Sequence, residues 1–402
     1  LIRRDNAKFA NADATSVKES DLQAFEAYQK NKTKLEQELA EAKVGYERFS
    51  GIKNAIDGVV KKIGKENPTS EDFQAYKPAD EMEANIQRIM VGQLKSSSFD
   101  DFYKSQIAPA YDHYKNQVEY NLNIDYDPRS IVGDDPNNSK ERFYGNNDVA
   151  GPDARHGSHV AGIIAAMRTN DLGIKGVANN VMIMGVRNTP NGDERDKDVA
   201  NGIRYATDNG AKVINMSFGK SYSWDKAIVD EAVKYAVSKD VLLIHAAGND
   251  NKDLEVEANF PNPEYADGGK ASSWITVGAS AWTNDGSIKA NFSNYGKTKV
   301  DVFAPGVDIN STVPGSKYEK LSGTSMAAPV VAGLAALIRS YYPKLTAVEV
   351  KDIILKSVVK VNQSVEIKTE TASKTVPFSD LCVTGGIVNA YEALKLAAEY
   401  KK

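Results

Sequence analysis

"LSGTSMAAP", residues 321–329, presents a hydroxyl, Ser325, in a setting suited to a nucleophile. Gly323 permits a tight turn and the close approach of another backbone. The small residues that follow, from Ala327 and Ala328 to Ala335 and Ala336, read as a helix that can be buried. Pro329 fits its first turn, where a missing N–H costs little. Backbone N–H groups at such a helix start can stabilise an oxyanion formed after nucleophilic attack. Taken alone, the segment also reads as an ordinary serine N-cap.

A serine nucleophile needs a base, and the chain has 4 histidines. His113 lies in the polar "AYDHYKNQ" and reads as a surface residue; His245 lies in an apolar strand and reads as core. "RHGSHVAGIIAAM" leaves His156, at a loop-to-helix junction, as the candidate base. His159, one turn further in, is expected to be structural. Histidines three apart on a helix can bind zinc, but no Glu stands between these two and no third ligand is evident, so no metal is assigned to them.

The elements that must position these groups fall in two regions. Residues 1–118 are rich in Lys, Glu, Gln and Ala, and Leu22, Phe25, Tyr28, Leu35 and Leu39 recur mostly at helical spacing. Ser20 and Gln23 suggest a capping box. A helical hairpin or small bundle is expected, its charges forming a solvated face. Residues 119–402 form the second region. Here β-rich runs at 181–187, 212–218, 241–247, 273–280 and 300–306 alternate with helical stretches. Strands this apolar are buried on both faces, which implies an α/β domain with a mostly parallel sheet covered by helices. Ligands gather at the carboxyl ends of such strands. Asn249 in "HAAGND" and the "SFG" of Ser217, Phe218 and Gly219 stand there.

In this order, "HGSHVAGIIAA", "AAGN" and "GTSMAAPVVAG" resemble the subtilisin (subtilase) family of serine proteases, and "MSFG" and "GIVNAYEAL" match its cleft strand and C-terminal segment. The resemblance covers roughly 150–402, with Ser158 standing where the family usually has threonine. It implies a subtilisin-like three-layer α/β domain and a serine endopeptidase working through an acyl-enzyme. Ser325 would be the nucleophile, His156 the general base and then acid, and Asn249 the oxyanion donor beside the Ser325 N–H. Losing such an amide costs about 10²–10³ in turnover, a figure that comes from a subtilisin. Ser217, Phe218 and Gly219 would pair with extended substrate. Ala246, Ala247 and Gly248 would form a pocket wall, and Phe218 with these small residues suggests a roomy apolar pocket.

The family's triad also needs an aspartate that ends a buried strand ahead of the histidine and is followed by Ser or Thr and Gly. Residues 1–155 contain no such segment. Asp125, 31 residues before His156, and Asp127 are the nearest candidates, but their segment alternates polar and apolar residues and lacks the glycine. The expectation is therefore an aspartate strand preceding Leu1, with residues 1–118 as a helical insertion after it. Without that carboxylate a Ser–His pair loses about 10⁴ in rate. The competing reading is a non-catalytic peptide-binding pseudoprotease. An esterase of the α/β-hydrolase type is disfavoured, because no G-x-S-x-G surrounds Ser325 and no histidine follows it.

Bulk properties narrow the partners. The chain has 402 residues and a net charge of −4, which gives no basic face for nucleic acid. No apolar run approaches the ~20 residues that span a bilayer. The single cysteine, Cys382, excludes an internal disulfide. No cofactor is expected; the oxygen-rich loop 132–153 offers ligands for calcium, which subtilases often bind, or is simply solvated. Family members are mostly exported, so a secreted or periplasmic protein with a signal peptide upstream is expected.

Overall fold

A strand such as "LLIHA" can be buried on both faces only if its alternate side chains meet two different layers. The computed structural model describes residues 2–190, 194–368 and 373–400. The chain divides into two units, Leu1–Ile131 and Val132–Lys402. Residues 119–131 group with the first, because the helix Ala108–Asn116 runs on through Asn121 before the chain leaves it.

The first unit is helical among its described residues. Its longest helix, Leu22–Ile63, ends on Gly64 in the left-handed region. Phe25 and Tyr28 of that helix are buried with Phe9, while Ile56 and Val59 pack with Phe73, Ile86 and Met90. Ser20 makes no cap: it lies within a short 3₁₀ turn, Glu19–Asp21. A capping box does close a later helix, where Thr69 and Asp72 bond reciprocally.

In the second unit a six-stranded sheet has the order β1 (Val213–Met216), β2 (Leu242–Ala246), β3 (Trp274–Ser280), β4 (Val302–Pro305), β10 (Gly386–Ile387) and β7 (Val359–Lys360). All pairings are parallel except β10 with β7. Two hairpins accompany it: β5 (Ile309–Val313) with β6 (Lys317–Leu321), and β8 (Ser364–Lys368) with β9 (Ser373–Pro377). Leu242, Ile244 and Ala246 meet Ala328, Val331, Ala335 and Ile338 of the helix Thr324–Tyr341. Leu243, Met216 and Trp274 meet Val199, Ile203, Val229 and Val233 of the helices Asp196–Asp208 and Lys226–Ser238. This is the three-layer α/β arrangement, and it holds the carboxyl ends of β1 and β2 side by side.

Residues 181–187, expected as a strand, form none. Met182, Ile183 and Met184 are exposed, and no strand partner takes up this stretch of backbone among the described residues. An apolar run becomes a strand only when a neighbour supplies the ladder.

His245 is buried in β2, its Nε2–H donating to the Phe218 carbonyl at 2.8 Å. Burial pushes its pKa down to about 4. An unfolded histidine takes its proton near 6.5, so acid favours the unfolded chain between those two values. Stability is predicted to fall by roughly 3 kcal/mol as pH drops from about 6.5 to about 4. Urea unfolding of the parent chain and of His245→Gln at several pH values checks this: the slope belonging to that window should be missing from the variant, and equal slopes would contradict it.

Candidate active site

Ser325 is not a cap. Gly323 occupies the N-cap position, the helix begins at Thr324, and Ser325 is its second residue, half-buried. The turn into the helix is fixed by Gly323 N–H donating to the Gly306 carbonyl at 2.8 Å. A side chain on Gly306 would collide with Ala279 and with the Gly323 carbonyl, so only glycine permits this approach. The Ser325 hydroxyl donates to the Ser217 carbonyl at 3.2 Å, and the Ser217 hydroxyl donates to the Ser325 carbonyl at 2.9 Å. These reciprocal bonds tie the end of β1 to the start of the serine helix.

Asn249 follows β2. Its Oδ1 accepts from the Thr324 N–H and from the Thr324 hydroxyl, both at 2.9 Å. The same hydroxyl accepts from Gly248 N–H at 3.1 Å. With Oδ1 held there, Nδ2 is turned the other way. A methyl built on Gly323 would lie 3.5 Å from Asn249 Nδ2 and 3.6 Å from the Ser325 nitrogen, so two N–H donors border one small space. Donors arranged in this way suit a developing oxyanion. Buried Asn294 braces the loop from below: its Nδ2 donates to the Ala247 carbonyl at 2.9 Å, and its Oδ1 accepts from Asp250 and Lys252.

His156 stands in the first turn of the helix Arg155–Ala165 and is exposed as a residue. Surrounding protein nevertheless desolvates it enough to lower its pKa, and the charges of His159 and Arg155 act in the same direction, against Asp153. The β5–β6 hairpin clamps this helix. Ser311 and Thr312 donate to the carbonyls of His159 and Ser158 at 2.7 and 2.9 Å, and Arg155 pairs with Glu319. The hairpin's outgoing strand leads directly into Gly323 and Ser325. His159 is buried, its Nε2 lying 3.0 Å from the carbonyls of both Ile309 and Glu319. It must donate there, which removes that nitrogen as a metal ligand.

Within Val132–Lys402 no described carboxylate hydrogen-bonds the His156 ring; Asp153 acts on it only through charge. Asp125 and Asp127 belong to the other unit. Both are exposed and neither ends a strand; Asp127 faces Arg3 at 3.7 Å. In the loop 132–153, Asp134 and Glu141 hold the Lys197 ammonium at 2.7 and 2.8 Å. A cation already satisfies those carboxylates, so this part of the loop does not fit calcium.

Among the substrate-binding candidates, Ser217 and Gly219 alternate with Phe218, whose side chain packs into the core beside the sheet. Ala246 and Ala247 are buried, and Gly248 turns with φ 104°. Thr324 and Asn294 were missed. Thr324 lies inside the serine motif, but its part depends on a loop 75 residues away; Asn294 carries no local signal.

A family model described as the subtilase family matches residues 79–378. The chain belongs to the subtilase family of serine proteases. A thermophilic serine proteinase of Bacillus sp. is 45% identical over 187 residues, 46% of this chain and 42% of that protein. Thermitase of Thermoactinomyces vulgaris is 42% identical over 186 residues, 46% of this chain and 61% of thermitase. The chain thus spans only about half the length of the curated relatives it matches. A solved protease from Pseudoalteromonas arctica superposes with a TM-score of 0.49 at 30% identity, over 60% of this chain and 70% of that one. No helix among the described residues of this subtilase is long and apolar enough to cross a membrane.

Thr324 is buried, so replacing its hydroxyl by a methyl leaves Gly248 N–H without its acceptor. Thr324→Val is predicted to cost about 1–3 kcal/mol of stability, with Thr324→Ser close to the parent. Chemical denaturation of the three proteins measures this, and an unchanged Thr324→Val would contradict the clamp.

Proposed function

We propose that this subtilase is a serine endopeptidase acting on extended polypeptides. The reading rests most on the Asn249 amide, held by Thr324 so that Nδ2 and the Ser325 N–H border one space. Ser325 Oγ attacks the scissile carbonyl while His156 takes its proton; the oxyanion is stabilised by Asn249 Nδ2–H and the Ser325 N–H. Collapse of that intermediate expels the amine, which receives the proton from His156, and leaves an acyl group on Ser325. Water, deprotonated by His156, then releases the acid. The segment Ser217–Gly219 that follows β1 lines one side of the substrate and Ala246–Gly248 the other. On family resemblance the protein acts outside the cytoplasm.

A specific observation favours the second reading, a peptide-binding pseudoprotease: among the described residues of its own unit, no carboxylate hydrogen-bonds the His156 ring. Such a pair would turn over about 10⁴-fold more slowly than a complete triad. A purely binding protein, however, gains nothing from an amide donor aimed beside a half-buried serine.

A fluorophosphonate probe distinguishes them. Covalent labelling at Ser325, lost in Ser325→Ala, is expected for the protease; a folded protein that takes no label over hours, beside a labelled control protease, would contradict it. The labelling rate should rise with pH through a midpoint below the ordinary histidine value of about 6.5, because the lowered pKa keeps His156 neutral and basic. A midpoint above 7 would overturn that role. Asn249→Ala should reduce peptide turnover by about 10²–10³, measured as kcat on a peptide amide.

A further inference from the structure

Two residues beyond Asn249 the chain turns at Asn251, which has φ 55°. The amide of Asn251 is used at both ends. Oδ1 accepts from the Lys289 ammonium at 2.7 Å, and Nδ2 donates to the Lys368 carbonyl of β8 at 2.6 Å. An ammonium only donates and a carbonyl only accepts, so this orientation is forced.

Lysine is almost never fully buried unless it is paired. Lys289 is only 6% exposed, yet among the described residues no carboxylate forms an ion pair with it. Its ammonium donates instead to neutral oxygens: Asn251 Oδ1, the Ala290 carbonyl at 3.0 Å and the Asn291 carbonyl at 3.5 Å. The Tyr295 ring lies 5.4 Å away. The segment that follows Lys289 is fixed to the central sheet. Ala290 N–H donates to the Ala279 carbonyl of β3 at 3.0 Å, and the Ser293 hydroxyl accepts from Ala279 N–H at 2.9 Å. The buried charge therefore joins a central strand to the loop after β2.

We propose that Lys289 is a positioning residue for the oxyanion donor, holding through the Asn251 amide the loop that carries Asn249. This rests on the endopeptidase reading. Backbone bonds set the course of the loop: Asn251 N–H donates to the Phe292 carbonyl at 2.8 Å, and Tyr295 N–H to the Lys252 carbonyl at 3.0 Å. The lysine adds a side-chain anchor two residues from the donor, and its strength depends on a proton. A charge-assisted hydrogen bond is roughly twice as strong as a neutral one. Burial lowers the Lys289 pKa to about 8, so the anchor weakens as pH rises through that value. Tyr295 is the titratable side chain facing it, and burial raises the phenol's pKa, so the ring stays neutral there. Asp250 and Lys252 beside Asn251, and Glu366 and Lys368 on β8, are the charged groups of the elements that meet it. None of them acts on its charge.

The test measures kcat and KM of the full chain on a peptide amide across neutral and alkaline pH. In the parent, kcat is expected to fall by about fivefold through a midpoint near 8, with KM unchanged. Lys289→Arg, whose guanidinium stays charged, should lose that alkaline limb. Lys289→Met should lower kcat about tenfold at neutral pH and also lack the limb. Asn251→Gly keeps the positive φ and removes the amide, so it should behave like Lys289→Met. Circular dichroism melting shows which variants are folded. A parent without the limb, a folded Lys289→Arg that keeps it, or a folded Asn251→Gly with the parent's kcat would overturn the role of Lys289 and leave the endopeptidase reading standing. A parent that neither cleaves peptide nor takes the fluorophosphonate label fails that reading first, and the positioning role with it.

Discussion

Two hydrogen bonds from Thr324 to one oxygen of Asn249 decide what the centre of this molecule can do. An amide side chain has a donor end and an acceptor end, and an exposed asparagine is free to present either. By giving Oδ1 both an N–H and an O–H to accept, the first residue of the serine helix leaves Nδ2 facing the space beside the Ser325 nitrogen. The orientation is set before any substrate arrives, so the reaction need not supply the reorganisation energy.

That clamp works only because two distant parts of the chain are held in register. The loop carrying Asn249 leaves β2, while Thr324 begins a helix packed on the same strand through Ala328, Val331 and Ala335. Small residues bring helix and sheet close, and the hydroxyl of Thr324 then fits between Gly248 N–H and Asn249 Oδ1. Asn294 holds the underside of the loop, and the reciprocal Ser217–Ser325 bonds hold the neighbouring strand end. The histidine helix is secured separately, by the β5–β6 hairpin that feeds into the serine turn.

Much of this could be read from residue order. Continuous apolarity marked β2 and β3 as central, and the alternation of strands and helices gave the parallel sheet. The neighbours of His245 marked it as core, and Asn249 was placed after a strand. What residue order could not supply has a common cause. Residues 181–187 are as apolar as a strand, yet a ladder requires a neighbour that local composition cannot supply. The serine segment taken alone also allowed a cap, an alternative the close packing of Gly306 closes by reserving that position for Gly323. Phe218 suggested an apolar pocket; in the folded chain it is half-buried, packed against the core cluster beside the sheet. Asn294 lies 47 residues from the Ala247 carbonyl it holds, in a stretch with no motif at all, and only the folded chain shows what it braces.

The most direct test of the Thr324–Asn249 clamp is a crystal structure of the chain with a phosphonate bound to Ser325, whose phosphoryl oxygen stands in for the oxyanion. The account predicts that oxygen within about 2.7–3.1 Å of both Asn249 Nδ2 and the Ser325 nitrogen, with Oδ1 still on Thr324. An Asn249 amide released from Thr324, or a phosphoryl oxygen bound by neither donor, would contradict it.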